Sequence, residues 1–200
     1  MSERNLGELL IEEGIRQLKA QGMDGFSARA VAEACHVSCA APFKHFNGKK
    51  EFLRSIAGRL DEELSETMEE ICESCGDDHK TAHLMMNDAY IQFLCKYAFL
   101  IDPSFWQAFE QPQAGIRSWR SFHMLEEQFA AYCKEHQLDY HVWKRYFYNF
   151  QTLAYGSAFV VNNGLLLEGE EPMKRVREIA CRIYRDLETM QDAEYKADET

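Results

Sequence analysis

The sequence predicts an all-α chain, and three observations carry that reading. Only four prolines interrupt 200 residues. No stretch alternates apolar and polar side chains with the period of two that a half-buried strand requires. Apolar residues instead return at three- and four-residue steps nearly throughout. The length suits one or two domains with a sizeable core. With 46% hydrophobic and 28% charged residues the chain is neither disordered nor fibrous.

The elements follow in order. Leu10, Ile11, Gly14, Ile15 and Leu18 share a face, which predicts a helix over 5–21 ended by Gly22. Gly25 turns the chain, and Phe26 is placed as a core anchor. Ser27 stands where an N-cap belongs, ahead of a short helix over 28–34. Cys35-His36-Val37 makes a tight turn, Ser38 caps a second short helix running to about 45, and Asn47-Gly48 breaks the chain again. A long helix is expected from Lys49 to about 73, and Gly76-Asp77-Asp78 is a turn at a domain edge. Further helices are expected over 81–100, 104–110, 115–136, 139–162 and 172–190, with loops around Pro112 and over 165–171. Pro172 suits the first turn of the last helix. Its Met173, Val176, Ala180, Ile183 and Leu187 fall on one face. The polar tail over 191–200 is expected to fray.

The net charge of −11 hides an asymmetry. Residues 1–60 hold 9 Lys and Arg against 7 Asp and Glu, net +2, whereas residues 61–200 hold 13 against 26, net −13. An acidic C-terminal part repels a nucleic-acid duplex and confines any contact to the N-terminal segment. No apolar run approaches the ~18 residues of a membrane span. The opening MSERNLGELL lacks the order of a signal peptide, so the cytoplasm is the expected location and no membrane partner is expected. Seven cysteines form no secreted framework and are expected as free thiols. No G-x-S-x-G, H-E-x-x-H or Gly-rich phosphate loop is present, so catalysis is not expected.

Two short helices joined by a tight turn near a relatively basic N-terminus make a helix-turn-helix candidate. Val31, Ala32, Val37, Phe43 and Phe46 are expected as apolar plugs, with Ala32 small where the helices cross. The second helix then presents side chains to a major groove about 12 Å wide. Gly22, Phe26, Ser27, Val31-Ala32, Val37-Ser38, Phe43, His45-Phe46, Lys49 and Leu53 resemble the TetR family of bacterial transcriptional regulators, as does the stretch SARAVAEACHVSCAAPFKHFNGKKEFL as a whole. The resemblance covers about residues 5–60.

That resemblance implies a homodimer whose two N-terminal heads read a pseudo-palindromic operator in double-stranded DNA. It also implies a variable C-terminal domain that binds a small effector. No cofactor is expected. Residues 1–48 are accordingly read as the DNA-binding domain and 49–200 as the helical ligand-binding and dimerisation domain, joined through the helix from Lys49. Ser27 matches a position that meets phosphate, with Arg29 beside it. Ser38, Cys39, Ala40, Ala41, Pro42, Phe43, Lys44 and His45 match the recognition helix, and Lys49 matches a lysine at the DNA backbone. Four departures stand out. His36 occupies a turn position usually held by Gly, which costs roughly 1 kcal/mol if φ is positive there. Ala40 replaces Gly, Pro42 replaces an aliphatic residue, and Phe43 replaces a Tyr whose hydroxyl bonds phosphate. Only Lys44 and His45 offer long polar groups. Thymine-methyl contact and DNA shape are therefore expected to carry much of the specificity.

The C-terminal part is rich in aromatic residues, and Met85, Met86 and Met124 add adaptable, polarizable surface. The candidate effector-binding residues are Tyr90, Phe93, Tyr97, Trp106, Phe109, Trp119, Phe122, His123, Phe147 and Gln151, with Asn149 as a further polar group. The competing reading of each aromatic is plain core packing. The set suggests an apolar or aromatic effector with a modest polar handle, and the acidic surroundings make a cationic ligand a further option. In the helix around 142–161, Trp143, Phe147, Phe150, Ala154, Ala158 and Val161 form one stripe, and Val142, Tyr146, Leu153 and Val160 extend it. With the last helix this predicts a four-helix dimer interface, two helices per subunit. Two alternatives accompany the regulator reading. One is an adaptor of the same fold binding a protein partner. The other is a thiol- or metal-sensing regulator using Cys72, Cys75, His79 and His83, spaced C-x2-C-x3-H-x3-H, although four ligands along one rod do not make a tetrahedron.

Overall fold

The computed structural model describes residues 3–109, 115–165 and 171–198, and among them every regular element is a helix. The helices are α1 (Glu3–Gly25), α2 (Ala28–Ala34), α3 (Ala41–His45), α4 (Lys49–Cys75), α5 (His79–Lys96), α6 (Pro103–Trp106), α7 (Arg120–Glu135), α8 (Tyr140–Asn162) and α9 (Pro172–Asp198). Single 3-10 turns lie at Ala98–Leu100 and Gly115–Ser118. The chain forms two compact units. One holds residues 1–63 and 97–119, the other residues 64–96 and 120–200.

In the first unit, α1 is helical up to Gly22, whose φ of 65° breaks it before a last turn to Gly25. Leu10 and Leu18 are buried against a core of Phe26, Val31, Ala32, Phe46, Phe52, Leu53 and Ile56. Phe52 is the centre of that core. It stacks on Phe46 at 4.4 Å and meets the edge of Phe26 at 5.5 Å. Gly14 permits the close approach of α1 to α4, because a Cβ there would lie 2.7 Å from Cδ1 of Ile56. Each large apolar side chain so buried contributes about 1.5–3 kcal/mol.

Residues 97–119 pack within this same unit. Tyr97 donates its hydroxyl to Glu63 at 2.7 Å and lies under the ammonium of Lys19. Trp106 donates Nε1–H to the carbonyl of Leu100 and packs 5.8 Å from Trp119. The helix expected over 81–100 stops at Lys96, and Tyr97 leaves helical geometry with φ −122°, ψ 63°. The piece expected over 104–110 is the single turn α6, whose Asp102 cap accepts the N–H of Ser104. The helix expected over 115–136 is divided into a 3-10 turn and α7. The Pro112 loop falls on residues 110–114 and most of the 165–171 loop on 166–170, outside the described residues.

In the second unit, α5 packs against α7, α8 and α9. Its Ala82, Met86, Tyr90, Ile91 and Leu94 are buried, as are Phe122, Leu125 and Phe129 of α7, Phe147, Phe150, Ala154 and Ala158 of α8, and Val176, Ala180, Tyr184 and Leu187 of α9. Asp139 opens α8, its carboxylate accepting the N–H groups of His141 and Val142. The helix α9 continues to Asp198 and does not stop near 190. Its buried face includes Tyr184, which the apolar pattern alone does not mark, while Met173 and Ile183 are half-buried. Arg177 donates to Asp88 through Nε at 2.7 Å and a terminal nitrogen at 2.5 Å, tying α9 to α5.

Candidate functional site

The head is built outward from Phe52. Val31 and Ala32 are the buried residues of α2, and the chain leaves α2 through Cys35 and His36. His36 adopts φ 55°, the left-handed conformation that its Gly-like position anticipates. The N–H of Val37 then returns to the carbonyl of Ala32 at 3.0 Å, which closes the turn. Val37 is half-buried.

The recognition element differs from its expected form. Ser38 does not cap a helix; its carbonyl accepts the N–H of Ala41 at 2.8 Å in a turn, and α3 begins at Ala41 with Ala40 at its N-cap. This later start fixes which side chains face inward. Ala41 and Pro42 are buried, Phe46 follows one turn on, and Phe43 and Lys44 are exposed. Phe43 is therefore not a plug: it is 56% exposed. Ala41 and Pro42, expected among the DNA-facing residues, are packing residues instead. Pro42 sits in the first turn, where its missing N–H costs no helical hydrogen bond.

The remaining predicted residues of this face lie at the surface. Ser27, Arg29, Ser38, Cys39, Ala40, Lys44 and Lys49 are exposed, and His45 is half-buried. Ser27 holds the N-cap position of α2 with extended φ and ψ, yet makes no capping hydrogen bond with its side chain. Its hydroxyl is left to the solvent side. Lys49 begins α4 and places its ammonium 5.5 Å from the ring centroid of Phe26. The result is a surface of small and apolar groups at its centre, with Arg29, Lys44 and Lys49 as its cations. That is a surface suited to phosphates at its edge and methyl groups in between.

The ten residues expected at an effector site divide between the two units. Tyr97, Trp106, Phe109 and Trp119 belong to the first unit, and Tyr90, Phe93, Phe122, His123, Phe147 and Gln151 to the second. Most are buried in packing: Tyr90, Phe93, Tyr97, Trp106, Trp119, Phe122 and Phe147 are below a tenth exposed. His123 points outward and pairs with Glu126 at 3.3 Å. In the second unit Tyr90 meets Phe122 at 6.3 Å, Phe122 meets Phe147 at 5.8 Å, and Phe147 stacks on Trp143 at 5.5 Å. Two buried amides stand near this chain of rings. Asn87 and Gln151 each have both polar side-chain atoms buried without a hydrogen-bond partner among the described residues. Asn87 was missed because an Asn beside Asp88 reads as part of a polar face and carries no pattern of its own.

An open groove of about 600 Å³ runs between α8 and α9. It is lined by Tyr148, Leu153, Gly156, Val160, Ile179 and Ile183 among others, with Asn149 at its side. None of the ten effector candidates lines it. The small Gly156 and Ser157 and the exposed Tyr148 and Ile179 make it apolar and accessible.

The cysteine and histidine constellation is dispersed. His79 bonds Gln128 at 2.8 Å, while His83 turns inward to the hydroxyl of Tyr184 at 2.8 Å. Cys72 accepts from the amide of Gln128, and Cys75 lies 3.7 Å from the sulfur of Met85. Among the described residues no three His, Cys, Asp or Glu side chains gather to hold an ion. Burial pushes the Cys72 thiol up and that of Cys133 up to about 12, away from the reactive thiolate. Burial also holds His83 neutral, its pKa lowered to about 3.

Residues 10–56 match the family model of bacterial regulatory proteins, tetR family. The matched stretch spans α1 to the start of α4 and includes the whole turn and recognition element. No curated protein matches the chain. Among solved structures, a protein with unknown function from Rhodococcus sp. RHA1 is similar in fold: TM-score 0.73 at 19% identity, over 90% of this chain and 94% of that one. Among the described residues no helix is long and apolar enough to cross a membrane.

Proposed function

Through residues 10–56 the chain belongs to the TetR family of DNA-binding transcriptional regulators, and from that premise we propose that it is a repressor released from its operator by a small effector. The observation that carries the reading is the head itself. The turn at His36 and the inward Ala41 and Pro42 leave Cys39, Ala40, Phe43 and Lys44 exposed beside Arg29 and Lys49. Two such heads, about 34–36 Å apart, enter successive major grooves on one side of a pseudo-palindromic duplex. The apolar groove of α8 and α9 supports a homodimer through a four-helix interface, because a face of this composition is costly to leave in water. An effector that binds one head separation better than the other weakens operator binding by its differential affinity for the two states.

The test is a binding titration with the duplex upstream of the protein's own gene, from 50 to 200 mM salt, values on the order of those where counterion release is steep. Expected is saturable binding that weakens with salt, and a shallower salt slope after Lys44→Ala and Lys49→Ala. Binding that ignores salt and both lysines overturns the reading. The exposed ring of Phe43 favours one second reading, an adaptor whose head docks a protein partner. A stable partner retained without DNA, together with unchanged behaviour of the lysine variants, is the result that selects it.

A further inference from the structure

The second unit buries two side-chain amides that no described residue satisfies. Asn87 is wholly buried in α5, between His83 and Tyr90 on the same stripe of that helix. Gln151 lies in α8, between Phe147 and Tyr155 at four-residue steps. Three pairs fix the register. His83 meets Phe150 at 4.6 Å, Tyr90 and Tyr155 share a hydroxyl contact of 3.3 Å, and the side chain of Asn162 donates to the carbonyl of Leu94. Residue numbers rise together along both helices, so α5 and α8 run in the same direction. Asn87 and Gln151 each precede their tyrosine by about one turn and therefore lie at similar heights. Ala154 is the small residue at that level of α8. Trp143, one turn before Phe147, buries its Nε1–H without a partner among the described residues as well.

A buried amide without partners costs roughly 1–3 kcal/mol by protein mutational measures. Two of them on facing helices, both open as donor and acceptor, are not explained by packing. The titratable groups of α5 next to Asn87 on this stripe are engaged or neutral. Asp88 is turned to Arg177 on α9, and His83 is held neutral by burial. A charged ligand would be desolvated against rings and amides.

We propose that Asn87 and Gln151 are the polar anchors of the effector site and that the effector is an uncharged aromatic amide or lactam. Its N–H and C=O bond the two side-chain amides, and its ring lies among Tyr90, Phe122 and Phe147. This deepens the effector reading above and rests on it. The anchors are closed to solvent, so the ligand selects a state in which α5, α7 and α8 have parted slightly.

The probes are benzamide and 2-quinolinone, with benzoate as the charged control and toluene as the apolar one. Binding to the full chain without DNA is read by calorimetry and by the melting midpoint. The expected result is a saturable rise of roughly 5–10 °C at a probe concentration about 100 times its Kd, with no matching rise from benzoate or toluene. Asn87→Leu and Gln151→Leu are expected to weaken amide binding by about tenfold or more each while keeping the helical circular-dichroism signal. No saturable amide binding, an equal response to toluene, or undiminished binding in both folded variants overturns the inference. If either variant fails to fold, the selectivity of the natural chain for amide over toluene and benzoate decides. Operator binding is measured on the same sample. Salt-dependent DNA binding without an amide response sinks this inference alone, and an amide response without DNA binding sinks the regulator reading alone.

Discussion

The head and the core of the second unit use burial in opposite ways. In residues 3–63 the interior is apolar and the chemistry is outside. Among the described residues of that stretch the buried polar exception is Gln17, whose amide nitrogen reaches Glu13 at 3.2 Å and whose Oε1 alone is left open. In the second unit the interior carries His83, Asn87 and Gln151 with polar atoms left open. A domain that recognises a large rigid polyanion keeps its reading groups on the surface and needs only a firm base beneath them. A domain that answers to a small molecule must place polar groups inside and tolerate their cost when they are unmet.

The largest expected effect comes from removing the base. Phe52→Ala deletes the ring on which Phe46 stacks and against which Phe26 packs, at a cost of about 3–5 kcal/mol. The unfolding free energy of the head is expected to fall by that amount, read as a lower urea midpoint, and DNA binding with it. A head that keeps its midpoint would show that its stability lies elsewhere than in this ring cluster.

The groove between α8 and α9 gives the next effect. Ile179 is exposed on α9 at the groove, and Ile179→Asp places a charge where a second copy would bury it. The dimer dissociation constant, followed by sedimentation, is expected to rise about 30-fold or more. The monomer should keep its melting midpoint, since an exposed substitution leaves the fold within about 0.5 kcal/mol. An unchanged dissociation constant assigns the interface to another face.

His83 sharpens the contrast between the two interiors through pH. Its folded pKa of about 3 lies below the ordinary value of 6.5 because the ring is buried. The unfolded chain therefore takes up a proton that the folded chain refuses. Stability from this group is complete above about pH 6.5 and is lost as pH falls towards 3, by up to ~1.4 kcal/mol per pH unit. His83→Gln keeps a polar group beside Tyr184 and is expected to remove that slope. The stability of natural and variant chains measured between these pH values checks it, and parallel curves would contradict it.

Much of the head was legible in the sequence because its signals are local. The bounds of α2 follow from Ser27 and the paired Val31-Ala32, and the strained turn follows from a His in a Gly-like place. The phase of α3 was not legible. Counting the helix from Ser38 points Phe43 inward and Ala41 outward, and the inserted Ser38–Ala41 turn reverses both. In the rest of the chain helical period marks which aromatics are buried but not with what. Tyr97 reaches Glu63 and Lys19 far earlier in the chain, and no spacing announces such a contact. Asn87 is legible only after burial is known.

Phe43 carries the smallest effect on folding and the most direct question about recognition. Its exposure means that Phe43→Ala should change stability by no more than about 0.5 kcal/mol. If the ring meets thymine methyls, the same change should reduce operator affinity most for sites with thymine at one position. Lys44→Ala should instead weaken all sequences alike and lower the salt slope by about one. Phe43→Tyr supplies the missing hydroxyl. Where the ring edge lies against phosphate, it should tighten binding to every duplex; where it lies against methyl groups, it buries a hydroxyl and should weaken binding to the best site. Affinities of the three variants on one duplex and its single-base substitutions separate these cases, and a Phe43→Ala variant indifferent to all of them would remove the ring from the reading surface.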